Sequence, residues 1–174
     1  MNTNTKLFFN IHNLSGKSRF LDVFSYIGAK YVIFFMTILY VFLCLIFFPM
    51  YGRVVYPVIY PLNAFILSWL VGLLISLLIG KMARRPRPYI TYSDKVKKKF
   101  SAWFSWKSFP SDHAFTAFLF FFSAMIFSVP FYWIFLPLAL WVGWGRVYCG
   151  VHYPLDIAGG FILAGLMIGT LFLL

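Results

Sequence analysis

Five apolar runs, each about as long as the roughly 20 residues a helix needs to cross a bilayer, limit this chain to one kind of architecture. They extend from about Tyr31 to Met50, Val54 to Gly80, His113 to Ser128, Phe131 to Tyr148 and Leu155 to Leu174. Between and within them only 11% of the residues are charged, against about 25% in a soluble domain. So few charges cannot cover a water-facing surface. The fold class expected is all-α, a polytopic membrane helical bundle of five to six spans forming a single domain over residues 1–174. The second run contains Pro57 and Pro61, which bend its first turns or lay them at the interface. In the last run Gly159, Gly160, Gly165 and Gly169 offer small surfaces for close helix packing. There is no internal repeat and no low-complexity linker.

The first thirty residues lack the basic, apolar and small-residue regions of a secretory signal. Leu7, Phe8, Phe9, Ile11, Leu14, Phe20, Leu21, Val23 and Phe24 are interleaved with Asn, Ser, Lys and Arg. This pattern reads as an N-terminal amphipathic segment lying in the interface. Cys44 and Cys149 lie in or beside apolar runs and read as small fillers rather than a disulfide framework.

Fifteen Lys and Arg face only four acids, Asp22, Asp94, Asp112 and Asp156. A balance this basic suits anionic lipid headgroups or phosphate. Nucleic acid is the other usual partner of basic chains, but little soluble domain remains to hold it. The bilayer and a lipid phosphate are the partners expected, with no nucleic acid and no obligate protein partner.

Five spans place the N-terminal segment, the loop 81–110 and the loop 149–154 at one membrane face, and nearly every unusual polar residue is there. The first group reads Lys81-Met82-Ala83-Arg84-Arg85-Pro86-Arg87-Pro88-Tyr89. Alternating Arg and Pro stiffen the backbone and aim guanidinium forks that match phosphate oxygens in pairs. The same residues also serve as a positive flank that sets topology. The second group, Phe109-Pro110-Ser111-Asp112-His113, opens an apolar run. Ser111 or Asp112 suits a helix cap at an anion-favouring N-terminus, and His113 stands at the lip of a span, where ionisable groups are costly. The third group holds Gly145, Arg146, His152 and Asp156. His152 and Asp156 are four apart, a spacing that puts them on one face if the local turn is helical. An acid behind a histidine keeps one ring nitrogen protonated and frees the other to attack. A polar cluster that only ties two helices together is the structural alternative.

Two histidines, one acid and several cations suit phosphoryl transfer by positioning and charge stabilisation. They suit Mg²⁺ poorly, since the chain has no Glu and four scattered Asp. Zinc remains the weaker alternative, with His113, His152 and Asp156 as conceivable ligands.

At these residues the chain resembles the type-2 phosphatidic acid phosphatase superfamily, whose motifs are written KxxxxxxRP, PSGH and SRxxxxxHxxxD. The third motif appears as Gly145-Arg146, His152 and Asp156 with its spacing intact, the second as Pro110-Ser111-Asp112-His113, and the first ends in Arg87-Pro88. The resemblance implies a metal-independent lipid phosphatase without cofactor. In it His152 attacks phosphorus, Asp156 orients His152, and His113 protonates the leaving oxygen. Arg146, Arg87, Ser111 and a first-motif cation hold the phosphate.

Three positions depart from the family pattern. Gly145 stands for Ser and Asp112 for Gly. The first-motif lysine register falls on Gly80, which leaves Lys81, one residue late, or Arg84, one turn on, as the expected substitute. The lead-in from Ile11 to Asp22 and the Pro-Ser-Asp-His form look like bacterial undecaprenyl diphosphate phosphatases. Lipid A 1-phosphatases, phosphatidylglycerophosphate phosphatases and a lipid phosphotransferase share the same chemistry, and a lipid-binding protein without turnover is the non-enzymatic alternative. The resemblance implies a bacterial inner membrane protein acting at the periplasmic face. The charge count points the other way: Arg53 alone of the fifteen cations lies opposite, and the positive-inside rule would put the site in the cytoplasm.

Overall fold

The computed structural model describes residues 2–51, 59–97, 99–100 and 104–173. Arg53, Pro57, Lys98, Trp103 and the expected start of the second run at Val54 lie outside the described residues. All secondary structure within them is helical: α1 (Thr3–His12), α2 (Arg19–Lys30), α3 (Val32–Tyr51), α4 (Ile59–Ala83), the single turn α5 (Pro88–Thr91), α6 (Asp112–Ile126), α7 (Phe135–Tyr148) after a 3-10 turn at Tyr132–Ile134, and α8 (Pro154–Leu173). Helices α3, α4, α6, α7 and α8 lie on the five apolar runs.

By length and composition, among the described residues, Tyr60–Thr91 qualifies as a membrane crossing. The pair Arg19–Lys30 and Val32–Ile46, bent by 53°, qualifies if counted as one span, and Asp112–Ile126 and Pro154–Thr170 are shorter apolar helices.

Helix α6 is the central element. Its Ala114, Phe115, Ala117, Phe118, Leu119 and Phe120 are all buried, as expected of a helix apolar on every side. It packs against α3, α4, α7 and α8. Where α8 crosses α6, a Cβ on Gly160 would come within 2.7 Å of Phe115 N and 2.9 Å of Ser111 O, so the backbones touch only because that residue is glycine. Gly159 similarly admits the Phe109 ring, whereas Gly169, expected to join this surface, has nothing within 4 Å. The outer faces of α3 and α4 stay apolar: Phe34, Ile38, Phe42, Leu70 and Leu74 are all exposed, Ile38 to 71%. An apolar exterior this extensive matches hydrocarbon rather than water.

The N-terminal segment is more tightly docked than an interfacial lead-in requires. Phe8 is fully buried beside Tyr153, and His12 Nδ1 lies 2.9 Å from Tyr148 O. Asn4 Oδ1 accepts from Leu155 N at 3.0 Å. Helix α2 packs on α7 through small residues on both sides: a Cβ on Gly145 would come within 2.5 Å of Ala29 N and Ser25 O, and one on Gly28 within 2.8 Å of Trp141 O. Leu7, Phe20 and Val23 nevertheless remain exposed, leaving the segment an apolar outer side.

Asp22 fastens the loop after α5 to this segment. It accepts from Lys99 Nζ, Tyr148 Oη at 2.9 Å and Gly16 N at 3.1 Å. The Lys99 hydrogen bond, then that of Gly16, holds its carboxyl down at about 2. The stabilisation from this carboxylate is therefore complete above pH 3.8 and lost as pH falls through about 2. Asp22→Asn is expected to make tryptic cleavage at the exposed Lys95 and Lys97 several-fold faster at neutral pH, read from the rate of loss of intact chain. An unchanged rate would show that the loop does not depend on this tie.

Candidate active site

Three chain segments converge below the start of α6. The first runs from Arg84 to Arg87, between α4 and α5. Arg84 has φ +43°, a left-handed turn, after which residues alternate sides as in any extended chain. Arg84 and Pro86 face outward and are exposed, while Arg85 is half-buried and Arg87 is buried. Arg87 donates from Nε to Phe104 O at 2.8 Å and from Nη1 to Val151 O at 3.1 Å. Arg85 donates to Asp156 Oδ1 at 2.9 Å and lies over the Tyr153 ring, 4.2 Å from its centroid.

The second segment runs through Lys107, Ser108 and Ser111 into α6. Ser111 caps the helix, its hydroxyl accepting from Ala114 N at 3.4 Å, and its own N–H donates to Asp156 O at 3.0 Å. The N-terminus of α6 is thereby joined to that of α8.

The third segment is the corner between α7 and α8. Gly150, at φ +78°, ends α7 in the left-handed conformation. Val151 N and His152 N then both donate back to Arg146 O, at 3.2 and 3.3 Å. Pro154 opens α8, a position that loses no helical hydrogen bond, and Asp156 Oδ2 accepts from Tyr153 N at 2.7 Å.

His152 is the hub. Its Nδ1 lies 2.9 Å from Ser108 O, so that nitrogen carries the proton and donates. Its Nε2 is then the bare lone pair, and it accepts from Arg87 Nη1 at 2.8 Å. Asp156 Oδ2 stands 3.6 Å from Nδ1, beyond a hydrogen bond. The acid instead acts through Ser108, whose hydroxyl donates to Asp156 Oδ2 at 2.6 Å while its carbonyl holds the ring.

Arg146 is buried in the α7 wall and donates from Nη1 to Ala29 O at 3.2 Å. Its guanidinium lies 5.0 Å from the Phe100 ring centroid, and its buried Nε has no hydrogen-bond partner among the described residues. His113 is half-buried and within electrostatic reach of Arg146, His152 and Arg87.

The site thus brings together His152, Asp156, Arg87, Arg146, Ser111 and His113. It does not bring in Lys81 or Arg84. Both are exposed, and Arg84 Nε turns back to Lys81 O at 3.3 Å. Sequence reasoning missed Arg85, Ser108 and Lys107. The Arg85-Pro86-Arg87-Pro88 alternation was a usable signal for Arg85, since prolines favour extended backbone and residues two apart then share a side. Ser108 and Lys107 gave no local signal. The zinc alternative meets a different arrangement, because Asp156 and His152 are occupied by Arg85, Ser108, Tyr153 N and Arg87. Among the described residues no group of three or more His, Cys, Asp and Glu is placed to hold a metal.

Burial pushes the His152 imidazole down to about 4, aided by the charges of Arg87 and Arg146 and opposed by Asp156. Between pH 6.5 and about 4 the unfolded chain therefore binds the proton that the folded chain refuses. The stability is fully present above 6.5 and declines as pH falls through this window. The Tm of the wild-type protein is expected to fall more steeply from pH 7 to 4 than that of His152→Gln. Parallel curves would remove His152 as the titrating group.

The family assignment agrees with this geometry. Residues 58–174, which contain all three converging segments, match the PAP2 superfamily. The chain belongs to that superfamily. The Bacillus licheniformis bacitracin transport permease protein BcrC is 30% identical over 88% of this chain and 71% of its own length. The putative undecaprenyl-diphosphatase YbjG of Escherichia coli K12 is 36% identical over 58% of this chain and 49% of its own. The lipid A 1-phosphatase of Rhizobium etli is 36% identical over 54% and 41%. The match therefore spans about half the length of the latter two relatives, or less. The crystal structure of Aquifex aeolicus LpxE superposes with a TM-score of 0.71 at 25% identity, covering 100% of this chain and 97% of that one. Two of these relatives are named as phosphatases, and the superfamily match of this chain takes in its converging segments.

Proposed function

We propose that this PAP2-superfamily chain is a five- to six-span enzyme of the bacterial inner membrane that removes the terminal phosphate of a lipid without metal, through a phosphohistidine on His152, with its site at the periplasmic face. The observation that carries this reading is the tautomer of His152. Ser108 O fixes the proton on Nδ1, which leaves the Nε2 lone pair facing a guanidinium, the group that binds phosphate oxygens.

An incoming phosphate takes Arg87 as a ligand and exposes Nε2. Nε2 attacks the terminal phosphorus while its bond to the bridging oxygen of the headgroup breaks, and His113 delivers a proton to that oxygen, which leaves with the rest of the lipid. Water, deprotonated by His113, then attacks phosphorus and breaks the P–N bond, freeing inorganic phosphate and His152. Arg87, Arg146 and the cap of α6 at Ser111 neutralise the charge that builds on the oxygens. The orphan Nε of Arg146 supports this role, since a buried guanidinium donor without an acceptor costs free energy until a ligand supplies one. Lys81 and Arg84, exposed at the helix end, are left out of this set.

Undecaprenyl diphosphate is the substrate proposed, supported by the Escherichia coli relative's name and by the Ile11–Asp22 lead-in. Lipid A 1-phosphate is the second reading, on the Rhizobium etli relative. The test is phosphate release in detergent with EDTA across undecaprenyl diphosphate, lipid A and phosphatidylglycerophosphate. Release in EDTA is expected, fastest from undecaprenyl diphosphate. Release that appears only on adding zinc or magnesium overturns the metal-free mechanism, and a different fastest lipid reassigns the substrate.

A further inference from the structure

The first family motif calls for a lysine at position 80, where this chain has glycine. The space this frees is filled. A Cβ on Gly80 would lie 2.7 Å from Lys107 Cγ and 2.8 Å from its Cδ and Cε. The stem of Lys107 therefore runs along the surface of α4 where a residue-80 side chain would begin. Its ammonium donates to Ser76 Oγ at 2.8 Å, and Ser76 is one helical turn before Gly80, on the same face. Lys107 also pairs with Asp112, the residue that departs from the family pattern in the second motif. The lysine side chain is 3% exposed and that of Asp112 is 33% exposed. Ser108, the next residue, holds both His152 and Asp156. Asp112 directly precedes His113, and its charge acts on both Arg87 and Arg146.

We propose that Lys107 is the lysine of the phosphate site, reaching it from the loop before α6 instead of from α4. Gly80 is the gap that admits it, and Ser76 and Asp112 hold its ammonium until phosphate arrives. An ammonium is costly to bury without a partner. Asp112 supplies one in the resting state, and a phosphate oxygen competes for the same three donor protons. Two departures from the family pattern, at residues 80 and 112, thus belong to one relocated cation. The proposal rests on the phosphate-site reading above but not on His152 being the nucleophile.

The test uses the full chain in detergent and two readouts: kcat/KM for phosphate release in EDTA, and the rise in Tm caused by inorganic phosphate. Lys107→Met keeps the stem against Gly80 and removes the charge. It is expected to lower kcat/KM by about 10- to 100-fold, the range for losing one charge-assisted hydrogen bond, and to abolish most of the phosphate-induced rise in Tm. Lys107→Met combined with Asp112→Asn removes any stranded carboxylate and is expected to stay impaired. Lys107→Ala combined with Gly80→Lys returns the lysine to α4 and is expected to recover most of both readouts.

Wild-type behaviour of the Lys107→Met/Asp112→Asn pair would reduce Lys107 to a structural ion pair and overturn the proposal. So would an unaltered phosphate-induced rise in Tm for Lys107→Met. If His152→Ala still releases phosphate while Lys107→Met loses the phosphate response, the nucleophile reading fails and the Lys107 proposal stands.

Discussion

His152→Ala is expected to lower phosphate release by more than about 10³-fold, on the scale of losing a covalent nucleophile, while a folded protein remains. Only Nε2 of this ring carries a lone pair in the ring plane, because Nδ1 donates to Ser108 O. Among the described residues no neighbouring group duplicates it: His113 belongs to α6, and Asp156 is spent on Arg85, Ser108 and the Tyr153 amide. Removing the ring leaves a cavity at a residue only 2% exposed, so His152→Gln serves as the companion variant that refills the space. Both variants are to be assayed beside wild type, with Tm as the folding control. Loss of activity at near-native Tm in His152→Gln supports nucleophilic catalysis. Activity within about 10-fold of wild type in either variant is too small a loss for a missing nucleophile and sinks the mechanism.

Gly145→Ser, which restores the family residue and its hydroxyl, is expected to harm the protein. By the family pattern, Gly145 lacks the hydroxyl of the serine it replaces. In the structure it is the point where α7 meets the α2 backbone, and a Cβ there would sit 2.5 Å from Ala29 N and Ser25 O and 3.0 Å from Ala29 Cα. These are backbone atoms of a helix, which cannot yield as a side-chain tip does. The cost is expected at or above the ~3 kcal/mol upper end of ordinary overpacking, seen as a large fall in Tm. Displacing α2 also removes Ala29 O from Arg146, so the surviving folded fraction is expected to lose activity. A Gly145→Ser protein that matches wild type in Tm and gains activity would show that α2 does not press on α7 here.

Much of the helical layout was legible because apolar run length is a local property. The runs expected from Tyr31, His113 and Leu155 are α3, α6 and α8, each within one residue at its start. The run from Phe131 is a 3-10 turn followed by α7, because Phe131 takes a left-handed φ of 61° that no α-helix continues through. The motifs were legible for a similar reason. His152 and Asp156 lie across one corner, and their spacing is a statement about a single turn of chain.

What sequence could not decide was set by distances between segments. Amphipathic interleaving in the first thirty residues does not reveal that Phe8 is fully buried beside Tyr153, because burial depends on which helix stands opposite. Lys81 and Arg84 were the cations nearest the first-motif register, yet Lys81 lies on an exposed side of α4 and Arg84 is exposed at a left-handed turn, while Arg85 reaches Asp156. The site lysine is Lys107 under the proposal above, and its path shows only once α4 and the 104–111 loop are side by side. By itself the sequence determined the apolar helices and the order of the motifs. Only the tertiary structure decided which cations face inward, why residues 80 and 145 are glycine, and that Ser108 links acid to histidine, since each is a contact between residues far apart in the chain.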